Sequence, residues 1–319
     1  MKRITVIGAG RWGSFIAWYL DFIGESVSLY GRAVSERMRR LIETRKNDRI
    51  TLPESINLTT DIDVLADSEI IVISIDSQGL RSLMSSLPQE LVKNKTFVLC
   101  MKGIEIGSGL RLSEIAEQYI DKSSRVAVWL GPGHVEDFSA GRPNCMVIDS
   151  KDEDTKRALV ERFSSKLIRF YYGTDLLGNE IGAAAKNVIG IAAGILDGLG
   201  IPSLKGALMA RGPREISALV RAMGGNPVSV YGLCHLGDYE ATVFSQYSHN
   251  RRYGELLVGG ERMDALAEGY YTVCALMELG KRYNIELPIC TAVYNVIYEN
   301  KSPAEEMENL FKRSIKYEF

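Results

Sequence analysis

A glycine-rich turn between a predicted strand and a predicted helix limits what this chain can fold into more than any other feature. The run GAGRWG, residues 8–13, follows the β-branched segment Ile4–Ile7 and leads into a helical pattern. In such a turn Gly8 allows a tight bend, Gly10 lets the backbone approach a pyrophosphate, and Gly13 lets the helix pack on the strand. Free amides at the helix N-terminus would bind the phosphates. The turn therefore predicts a dinucleotide site, the alternative being a turn that holds no ligand.

The first half of the chain alternates short β-branched runs with helical patterns, and the second half is helical. Strands are predicted at Ile4–Ile7, Val27–Tyr30, Ile70–Ser74, Thr96–Met101, Arg125–Leu130, Asn144–Asp149 and Ile168–Tyr172. Helices are predicted at Gly13–Ile23, Ser35–Arg45, Gln78–Ser85, Leu112–Gln118, Asp154–Phe163, Ile181–Leu199, Ala207–Met223, Pro227–Leu233, Met263–Tyr283 and from Pro288 onward. Strands that alternate with helices form parallel sheets. The predicted fold class is α/β, with a Rossmann-type doubly wound parallel sheet over residues 1–177 and an all-α C-terminal domain over residues 178–319.

Charge and cysteine usage exclude several classes of protein. Lysine and arginine number 38 against 40 for aspartate and glutamate, a net charge of -2, whereas general nucleic-acid binders are basic. The five cysteines are scattered and lack metal-ligand spacing, which indicates reduced thiols in a cytoplasmic protein without a metal site. The apolar run from Ile181 to Ile201 is interrupted by Lys186 and Asp197, so we interpret it as a buried helix and not as a membrane span.

Lys186 stands alone among small apolar residues, in the run IGAAAKNVIGIAAG that covers residues 181–194. Residues four apart share one face of a helix, so Gly182, Gly190 and Gly194 form a stripe with Lys186. Glycine weakens a helix by about 1 kcal/mol relative to alanine, so the stripe predicts that another segment packs very closely there. The lysine is either a reagent at the floor of a site or a side chain whose head group reaches water.

The residue that follows the second predicted strand bears on which dinucleotide is bound. NAD-specific folds usually carry an acidic residue there, against the ribose 2′-hydroxyl. This chain has Tyr30-Gly31-Arg32 instead, and Arg32 could pair with a 2′-phosphate. The sequence therefore favours NADP over NAD, unless Arg32 is a surface arginine without this role.

Short polar segments follow three of the predicted strands: Ser77-Gln78, Lys102-Gly103-Ile104-Glu105 and Gly131-Pro132-Gly133-His134. In an open parallel sheet, the loops after the strand C-termini line the ligand crevice. All three segments are therefore expected at the same edge of the sheet as the glycine turn.

These motifs, in this order, resemble the bacterial type of NAD(P)-dependent glycerol-3-phosphate dehydrogenase. The resemblance covers essentially the whole chain and rests on GAGRWG, DSQGLR, MKGIE, GPGH, NEIGAAAKNVIGIAAGILDGLG, GLCHLGDYEAT, SHNRRYG, LAEGYYT and ELPICTAVYNVIYENKSP. It implies a Rossmann domain followed by a helical domain, commonly in homodimers. It also implies interconversion of dihydroxyacetone phosphate and sn-glycerol 3-phosphate for phospholipid synthesis, with a small phosphorylated substrate and no nucleic-acid partner.

The resemblance also implies roles for individual residues. The catalytic residues are Lys186, as the proton-transfer lysine, with Lys102, Asp238 and Thr242. The substrate-binding residues are Lys102, Gly131, Gly133, Lys186, Asp238, Ser248, His249 and Asn250. The cofactor-binding residues are Gly8, Gly10, Arg11, Trp12, Gly13, Arg32, Lys102, Val135, His249 and Glu268. For Asp238 alone, a helix cap after Gly237 is the structural alternative.

The chemistry of hydride transfer agrees with these roles. Hydride delivered to a carbonyl carbon leaves negative charge on the oxygen, which needs a proton and local positive charge. Burial and a neighbouring Lys102 would both lower the pKa of Lys186, and Asp238 would orient the ammonium and limit that shift. Two other functions stay open: a dehydrogenase of another small hydroxy acid or phosphorylated polyol, and a dinucleotide sensor without catalysis.

Three positions depart from the family pattern. His249 stands where many members have an arginine that holds phosphate and cofactor, and histidine is only partly charged near neutral pH. Gly133 stands where serine or threonine is common, and Ser203 where asparagine is frequent. Arg251 and Arg252 either compensate for His249 or form a solvated basic edge.

Overall fold

The computed structural model describes residues 3–261, 263, 267–314 and 317 of the 319-residue chain. Within that part, the chain divides into two compact units. The first contains residues 3–102 and 110–176, and the second contains residues 103–109 and the described residues from 177 onward. The predicted boundary between residues 177 and 178 stays a prediction, and it differs from this grouping in the segment 103–109.

The first unit contains a sheet whose strands lie in the order β3-β2-β1-β4-β5-β6-β7-β8. The strands are β1 Arg3–Ile7, β2 Val27–Tyr30, β3 Asn57–Thr59, β4 Ser68–Ile73, β5 Thr96–Leu99, β6 Arg125–Leu130, β7 Asn144–Ser150 and β8 Ile168–Tyr172. The helices are α1 Arg11–Phe22, α2 Glu36–Thr44, α3 Leu80–Ser86, α4 Gln89–Val92, α5 Leu112–Glu117, α6 Val135–Ser139 and α7 Glu153–Phe163. The α/β class and the Rossmann type of the first unit are thus confirmed.

The inner strands are continuous apolar runs because both faces of the sheet are covered. Ile71, Val72 and Ile73 of β4 have no exposed surface, although they point alternately to opposite faces. β1 pairs in parallel with β2 and β4, which places the glycine turn after β1 at the carboxyl edge between two neighbours. The strand order changes direction at β1, because β2 and β3 lie on one side of it and β4 to β8 lie on the other. Open α/β sheets bind ligands at such a switch point.

The sheet is mostly parallel, with one antiparallel junction between β6 and β7. The connection between these strands contains only the five-residue helix α6, and β7 returns beside β6 instead of crossing over to a parallel position. β8 then pairs in parallel with β7. The alternation of strands and helices could not show this reversal, because an antiparallel pair and a parallel pair have the same local pattern.

The second unit is helical in its described residues. Its helices are α8 Leu176–Gly198, α9 Lys205–Ala222, α10 His249–Val258, α11 Glu268–Tyr283, α12 Pro288–Tyr298 and α13 Pro303–Phe311. The predicted helix Pro227–Leu233 is a 3₁₀ turn over Pro227–Tyr231. Of the predicted helix Met263–Tyr283, residues 264–266 lie outside the described residues, as do 315, 316, 318 and 319 of the predicted C-terminal helical segment.

Helix α8 is the centre of the second unit. Its residues Ile181, Val188 and Ile195 have no exposed surface and belong to one apolar core with residues of α9, α11 and α12. Among the described residues, α8 is the one helix long and apolar enough to cross a membrane, and 89% of that apolar stretch is buried inside the protein. It is therefore buried as a core helix is. This agrees with the prediction made from the charged residues Lys186 and Asp197, which interrupt its apolar run.

Candidate active site

The glycine turn between β1 and α1 leaves space at one of its three glycines. Gly8 has a φ of 120°, and a methyl group there would lie 2.1 Å from the carbonyl oxygen of Ser74. A methyl group on Gly13 would lie 2.0 Å from the carbonyl oxygen of Gly8. Gly10 has an ordinary φ of −78°, and beyond its immediate neighbours a methyl group there would meet only the Arg37 guanidinium, at 3.9 Å.

Internal packing thus explains Gly8 and Gly13, whereas it leaves Gly10 unexplained. Gly10 is the residue before α1, and no side chain caps this helix. The first amides of a helix lack partners within it and attract anions. The open space at Gly10 and these amides fit the pyrophosphate of a dinucleotide.

Arg11 and Trp12, the first two residues of α1, are held by residues of α6. Arg11 forms an ion pair with Glu136. The Trp12 ring lies with its centroid 5.1 Å from that of Phe15 and 6.3 Å from that of Phe138. Both side chains predicted to contact the cofactor are therefore fixed beside the glycine turn.

Arg32 follows β2 and is exposed. Among the residues that the structure describes, it pairs with no carboxylate. Its charge is therefore available to an anion near the carboxyl end of β2, while the preference for NADP stays a prediction.

Lys102 and the segment after β6 meet at the carboxyl edge of the sheet. The Lys102 ammonium donates a hydrogen bond of 2.9 Å to the carbonyl oxygen of Gly131. Val135 begins α6 and is buried. A methyl group on Gly133 would lie 2.5 Å from the Phe138 ring, so this ring occupies the place where a serine or threonine side chain would start. The Phe138 ring would therefore have to shift if residue 133 carried a side chain.

In the second unit, Lys186 is buried in an ion pair. Its Nζ lies 2.7 Å from Oδ2 of Asp238, and 8% of the lysine side chain and 1% of the aspartate side chain are exposed. Nζ also donates to the Thr242 hydroxyl at 2.7 Å, and this hydroxyl donates to the Asp238 carbonyl oxygen at 2.8 Å. The lysine side chain is therefore buried and paired, and Asp238 is its counter-charge and not merely a helix cap.

Two irregular turns place the partners of Lys186. Asp238 ends a 3₁₀ turn, Leu236–Asp238, and Thr242 lies in a π-helical segment, Glu240–Phe244. π-Helical turns are rare and often occur at functional sites, because they redirect side chains that a regular helix would point elsewhere. Here the two turns direct the carboxylate and the hydroxyl onto the same ammonium.

The glycine stripe of α8 lies against these turns and against α10, as its composition predicted. A methyl group on Gly190 would lie 2.7 Å from Cγ2 of Thr242. A methyl group on Gly194 would lie 1.9 Å from the carbonyl oxygen of Arg251, in α10. The glycines therefore let backbone approach backbone beside Lys186.

The predicted phosphate-binding residues form the start of α10. The Ser248 hydroxyl caps this helix by accepting the backbone N–H of Arg251 at 3.2 Å. His249 is the first helical residue and is exposed. Ser248 and His249 thus lie where the amides of a ten-residue helix point outward, which is a favourable position for an anion.

Asn250 connects the starts of two helices to the neighbour of Lys186. Its Nδ2 donates to Oδ1 of Asn187 at 3.1 Å, and its Oδ1 accepts the backbone N–H of Gly269 at 2.9 Å. Glu268, predicted to contact the cofactor, is the first residue of α11 and directly precedes Gly269. Asn250 therefore connects the residue after Lys186 to the residue after Glu268 by hydrogen bonds.

Arg251 and Arg252, predicted either to compensate for His249 or to form a solvated basic edge, both form ion pairs in the structure. Arg251 pairs with Asp197 at 2.5 Å and with Glu255 at 2.6 Å. Lys205 pairs with the same Asp197 oxygen at 2.6 Å. Arg252 is 60% exposed and pairs with Glu255 at 3.2 Å. Arg251 is thus bound into an ion-pair network that joins α8, α9 and α10.

Sequence reasoning missed helix α10 and two buried polar residues beside Lys186. Asn187 is 5% exposed and His235 is fully buried. Each has a hydrogen-bond partner more than 50 positions away in the chain, and a single sequence does not show such pairings. The proposed departure at Ser203 falls in an exposed 3₁₀ turn, Pro202–Leu204.

Comparison with known proteins agrees with this arrangement. A family model described as the N-terminus of NAD-dependent glycerol-3-phosphate dehydrogenase matches residues 3–156, and the model of its C-terminus matches residues 175–308. The glycerol-3-phosphate dehydrogenase [NAD(P)+] of Prosthecochloris aestuarii is 37% identical and covers 99% of both chains. The enzyme of the same name from Halalkalibacterium halodurans is 36% identical over all of this chain and 96% of its own.

Solved structures give the same result. Glycerol-3-phosphate dehydrogenase from Coxiella burnetii is 26% identical and superimposes with a TM-score of 0.91, over 98% of this chain and 99% of that one. The Plasmodium falciparum enzyme, 17% identical with a TM-score of 0.84 over 99% of this chain and 96% of that one, shows the shared fold. The two matched family models and the full-length relatives show that this chain belongs to the NAD-dependent glycerol-3-phosphate dehydrogenase family.

Proposed function

We propose that this chain interconverts dihydroxyacetone phosphate and sn-glycerol 3-phosphate, with NADP or NAD as the hydride carrier. The observation that carries this proposal is the buried ammonium of Lys186, held by Asp238 and Thr242 at 2.7 Å each. When bound, the nicotinamide supplies or accepts the hydride. The protein must supply the proton, the charge and the orientation.

Lys186 is the proposed proton donor in the reduction and the proton acceptor in the oxidation. The ketone oxygen gains negative charge as hydride arrives, and a nearby ammonium both stabilises that charge and delivers the proton. Asp238 stabilises the ammonium before the reaction, and the Thr242 hydroxyl fixes its direction. Because all three side chains are buried, few water molecules compete for these interactions and their electrostatic effect is strengthened.

The start of α10 is the proposed site of the substrate phosphate. Ser248, His249 and Asn250 lie there with the outward-facing amides of the first turn, and helix N-termini bind anions. In the first unit, Lys102, Gly131 and Gly133 are the proposed substrate contacts at the carboxyl edge of the sheet.

The proposed dinucleotide contacts combine the glycine turn with neighbouring side chains. They are Gly8, Gly10, Arg11, Trp12, Gly13, Arg32, Lys102, Val135, His249 and Glu268. NADP is proposed as the preferred form because the exposed Arg32 follows β2 where NAD-specific folds carry a carboxylate.

A direct test follows the loss of reduced-nicotinamide absorbance when the protein is mixed with NADPH and dihydroxyacetone phosphate. Lys186→Ala is expected to lower kcat by about 10²- to 10⁴-fold, because it removes the proton donor, while NADPH binding is kept. Lys156→Ala is the matched control, since Lys156 is also a buried lysine with an ion-pair partner, Glu153 at 2.7 Å. It is expected to retain the kcat of the folded enzyme.

The outcomes of this test separate the alternatives. Tight NADPH binding without turnover of any carbonyl substrate would favour a dinucleotide sensor. Turnover of another small hydroxy acid or polyol, with dihydroxyacetone phosphate a poor competitor, would favour a different substrate. Loss of NADPH binding in Lys186→Ala would show that the lysine is structural.

The family resemblance supports three wider parts of the proposal: a homodimer, a cytoplasmic location and a supply of glycerol 3-phosphate to phospholipid synthesis. Sedimentation of the purified protein at twice the mass of the chain is the expected result for the dimer.

A further inference from the structure

His235 forms a hydrogen-bonded connection that the proposed reaction does not use directly. The ring is fully buried. Its Nδ1 lies 2.7 Å from the carbonyl oxygen of Gly182 in α8, four residues before Lys186. Its Nε2 lies 2.7 Å from the hydroxyl of Tyr239, which is also buried. Both ring nitrogens therefore have partners.

The partners determine which nitrogen carries the proton. A carbonyl oxygen only accepts, so Nδ1 donates to Gly182, and Nε2 then accepts from the Tyr239 hydroxyl. The pKa of His235 is lowered to about 4, chiefly by burial and also by the Lys186 charge, while the hydrogen bond to Gly182 and the Asp238 charge oppose the shift. The ring is therefore neutral near pH 7 and does not act as a second proton donor.

The contacts of His235 span the two elements that form the Lys186–Asp238 pair. His235 directly precedes the 3₁₀ turn that ends at Asp238, and its ring is bonded to the helix that carries Lys186. A methyl group on Gly182 would lie 3.0 Å from Cβ of His235, so the glycine is what lets the histidine approach the helix. The ring thus connects the turn to α8 by a hydrogen bond.

We infer, on the basis of the proposed function, that His235 is a positioning residue: with Tyr239 it holds the Asp238 turn on α8 and so keeps the Asp238 carboxylate on the Lys186 ammonium. The reason is geometric. The Lys186–Asp238 contact joins residues 52 positions apart in the chain, and the His235–Gly182 bond fastens the same two segments one helical turn away. Without it, the turn can move from the helix while both charged residues are still present.

Two variants of His235 distinguish its hydrogen bond to Gly182 from its hydrogen bond to Tyr239. In His235→Asn, the amide nitrogen replaces Nδ1 and can still donate to Gly182. His235→Leu removes both hydrogen bonds and keeps a side chain of similar bulk. His235→Leu is expected to lower kcat by about 10- to 100-fold, the effect of misplacing a reacting group by about 1 Å, with the KM for dihydroxyacetone phosphate near the wild-type value. His235→Asn is expected to restore most of the lost kcat.

The pH dependence of kcat distinguishes a positioning role of His235 from a merely structural one. Reduction needs the Lys186 ammonium, so kcat falls at alkaline pH. An ammonium that has lost its carboxylate partner gives up its proton more readily, so this alkaline limb is expected at lower pH in His235→Leu. Tyr19→Phe is the control, because it also removes a buried hydrogen bond, here from the Tyr19 hydroxyl to the carbonyl oxygen of Phe163 at 2.5 Å in the first unit. It is expected to lower stability and leave the limb unchanged.

A second measurement needs no turnover. The titration of Lys186 can be followed by NMR in protein with labelled lysines, with Lys186→Arg used to assign the signal. A lower midpoint in His235→Leu supports the inference, and an unchanged midpoint with an unchanged pH limb overturns it. An inactive wild-type protein would instead contradict the proposed function, and the NMR titration would still decide the role of His235.

Discussion

At the scale of single residues, Glu215 shows how one buried carboxylate stabilises a helix far along the chain. It lies in α9 and accepts the backbone N–H groups of Ile289 and Cys290, at 2.8 and 3.0 Å. These residues form the first turn of α12, whose preceding residue, Leu287, has no capping side chain. Burial raises the pKa of Glu215 to about 7, although the two backbone hydrogen bonds oppose that shift.

This pKa predicts a pH dependence of stability with a definite sign. Because the pKa of Glu215 is raised on folding, from 4.5 to about 7, the folded state binds the proton more tightly than the unfolded state. Its contribution to the free energy of unfolding is fully present below about pH 4.5 and is lost as the pH rises through 7, a change of about 3 kcal/mol. Urea unfolding of wild type and Glu215→Gln between pH 4.5 and 8 measures this difference.

The comparison between the two proteins isolates Glu215 from other groups. The pKa of His235 is lowered to about 4, so its contribution has the opposite sign and is gained as the pH rises from 4 to about 6.5. It is present in both proteins and cancels. Parallel stability curves for wild type and Glu215→Gln would contradict the prediction.

At the scale of elements, the crossing of α8 and α10 depends on two glycines that face each other. A methyl group on Gly194 would lie 1.9 Å from the Arg251 carbonyl oxygen, and one on Gly254 would lie 2.1 Å from the Ile191 carbonyl oxygen. Backbone atoms cannot move aside as a flexible side chain can. The crossing therefore fixes α10, and with it His249 and Asn250, close to the helix that carries Lys186.

Gly194→Ala is expected to lower the free energy of unfolding by about 1–3 kcal/mol, the usual cost of overpacking. It is also expected to raise the KM for dihydroxyacetone phosphate, because α10 must shift away from α8. Gly206→Ala is the matched control: Gly206 is also helical, and a methyl group there would meet nothing within 4 Å. That change is expected to raise stability by up to about 1 kcal/mol. Equal effects of the two substitutions in chemical denaturation would disprove the packing argument.

At the scale of the whole molecule, each unit has a hydrophobic core of its own, and the proposed dinucleotide contacts of the glycine turn belong to the first. Any ligand that binds only the folded state raises the free energy of unfolding, by about 2.7 kcal/mol at 100 times its Kd. Cofactor binding can therefore be measured as a change in melting temperature, without a substrate.

Gly10→Val is expected to abolish the stabilisation by both NADPH and NADH while leaving the ligand-free melting temperature unchanged. The reason is that the first side-chain atom at Gly10 would enter open space, where it meets only the Arg37 guanidinium at 3.9 Å. Arg32→Ala is expected to reduce the stabilisation by NADPH but not that by NADH, because only NADPH carries the 2′-phosphate. A lower melting temperature of ligand-free Gly10→Val would show that Gly10 serves packing. An equal effect of Arg32→Ala on both cofactors would remove the argument for NADP.

Much of the fold could be predicted from the sequence, because it follows from the pattern of residues that are near one another in the chain. The β-branched runs, the glycine turn and the long apolar helices predicted the Rossmann-type unit and the helical unit. The three-residue strand β3 was missed because Asn57–Thr59 is too short and too polar to show a pattern. Helix α10 was missed because its first turn is polar and basic and Gly254 lies inside it, and it is fixed by the glycine crossing with α8.

For the candidate site, the sequence by itself determined which reactive groups are present: an isolated lysine on a glycine-lined helix, an aspartate after a glycine, and a glycine turn after the first strand. Only the tertiary structure decided which of them meet. It placed Asp238 and Thr242 on Lys186, Phe138 against Gly133, Asp197 on Arg251, and His235 on Gly182. The physical reason is that ion pairs and hydrogen bonds act over about 3 Å in space, whereas these partners are separated by up to 56 positions in the chain.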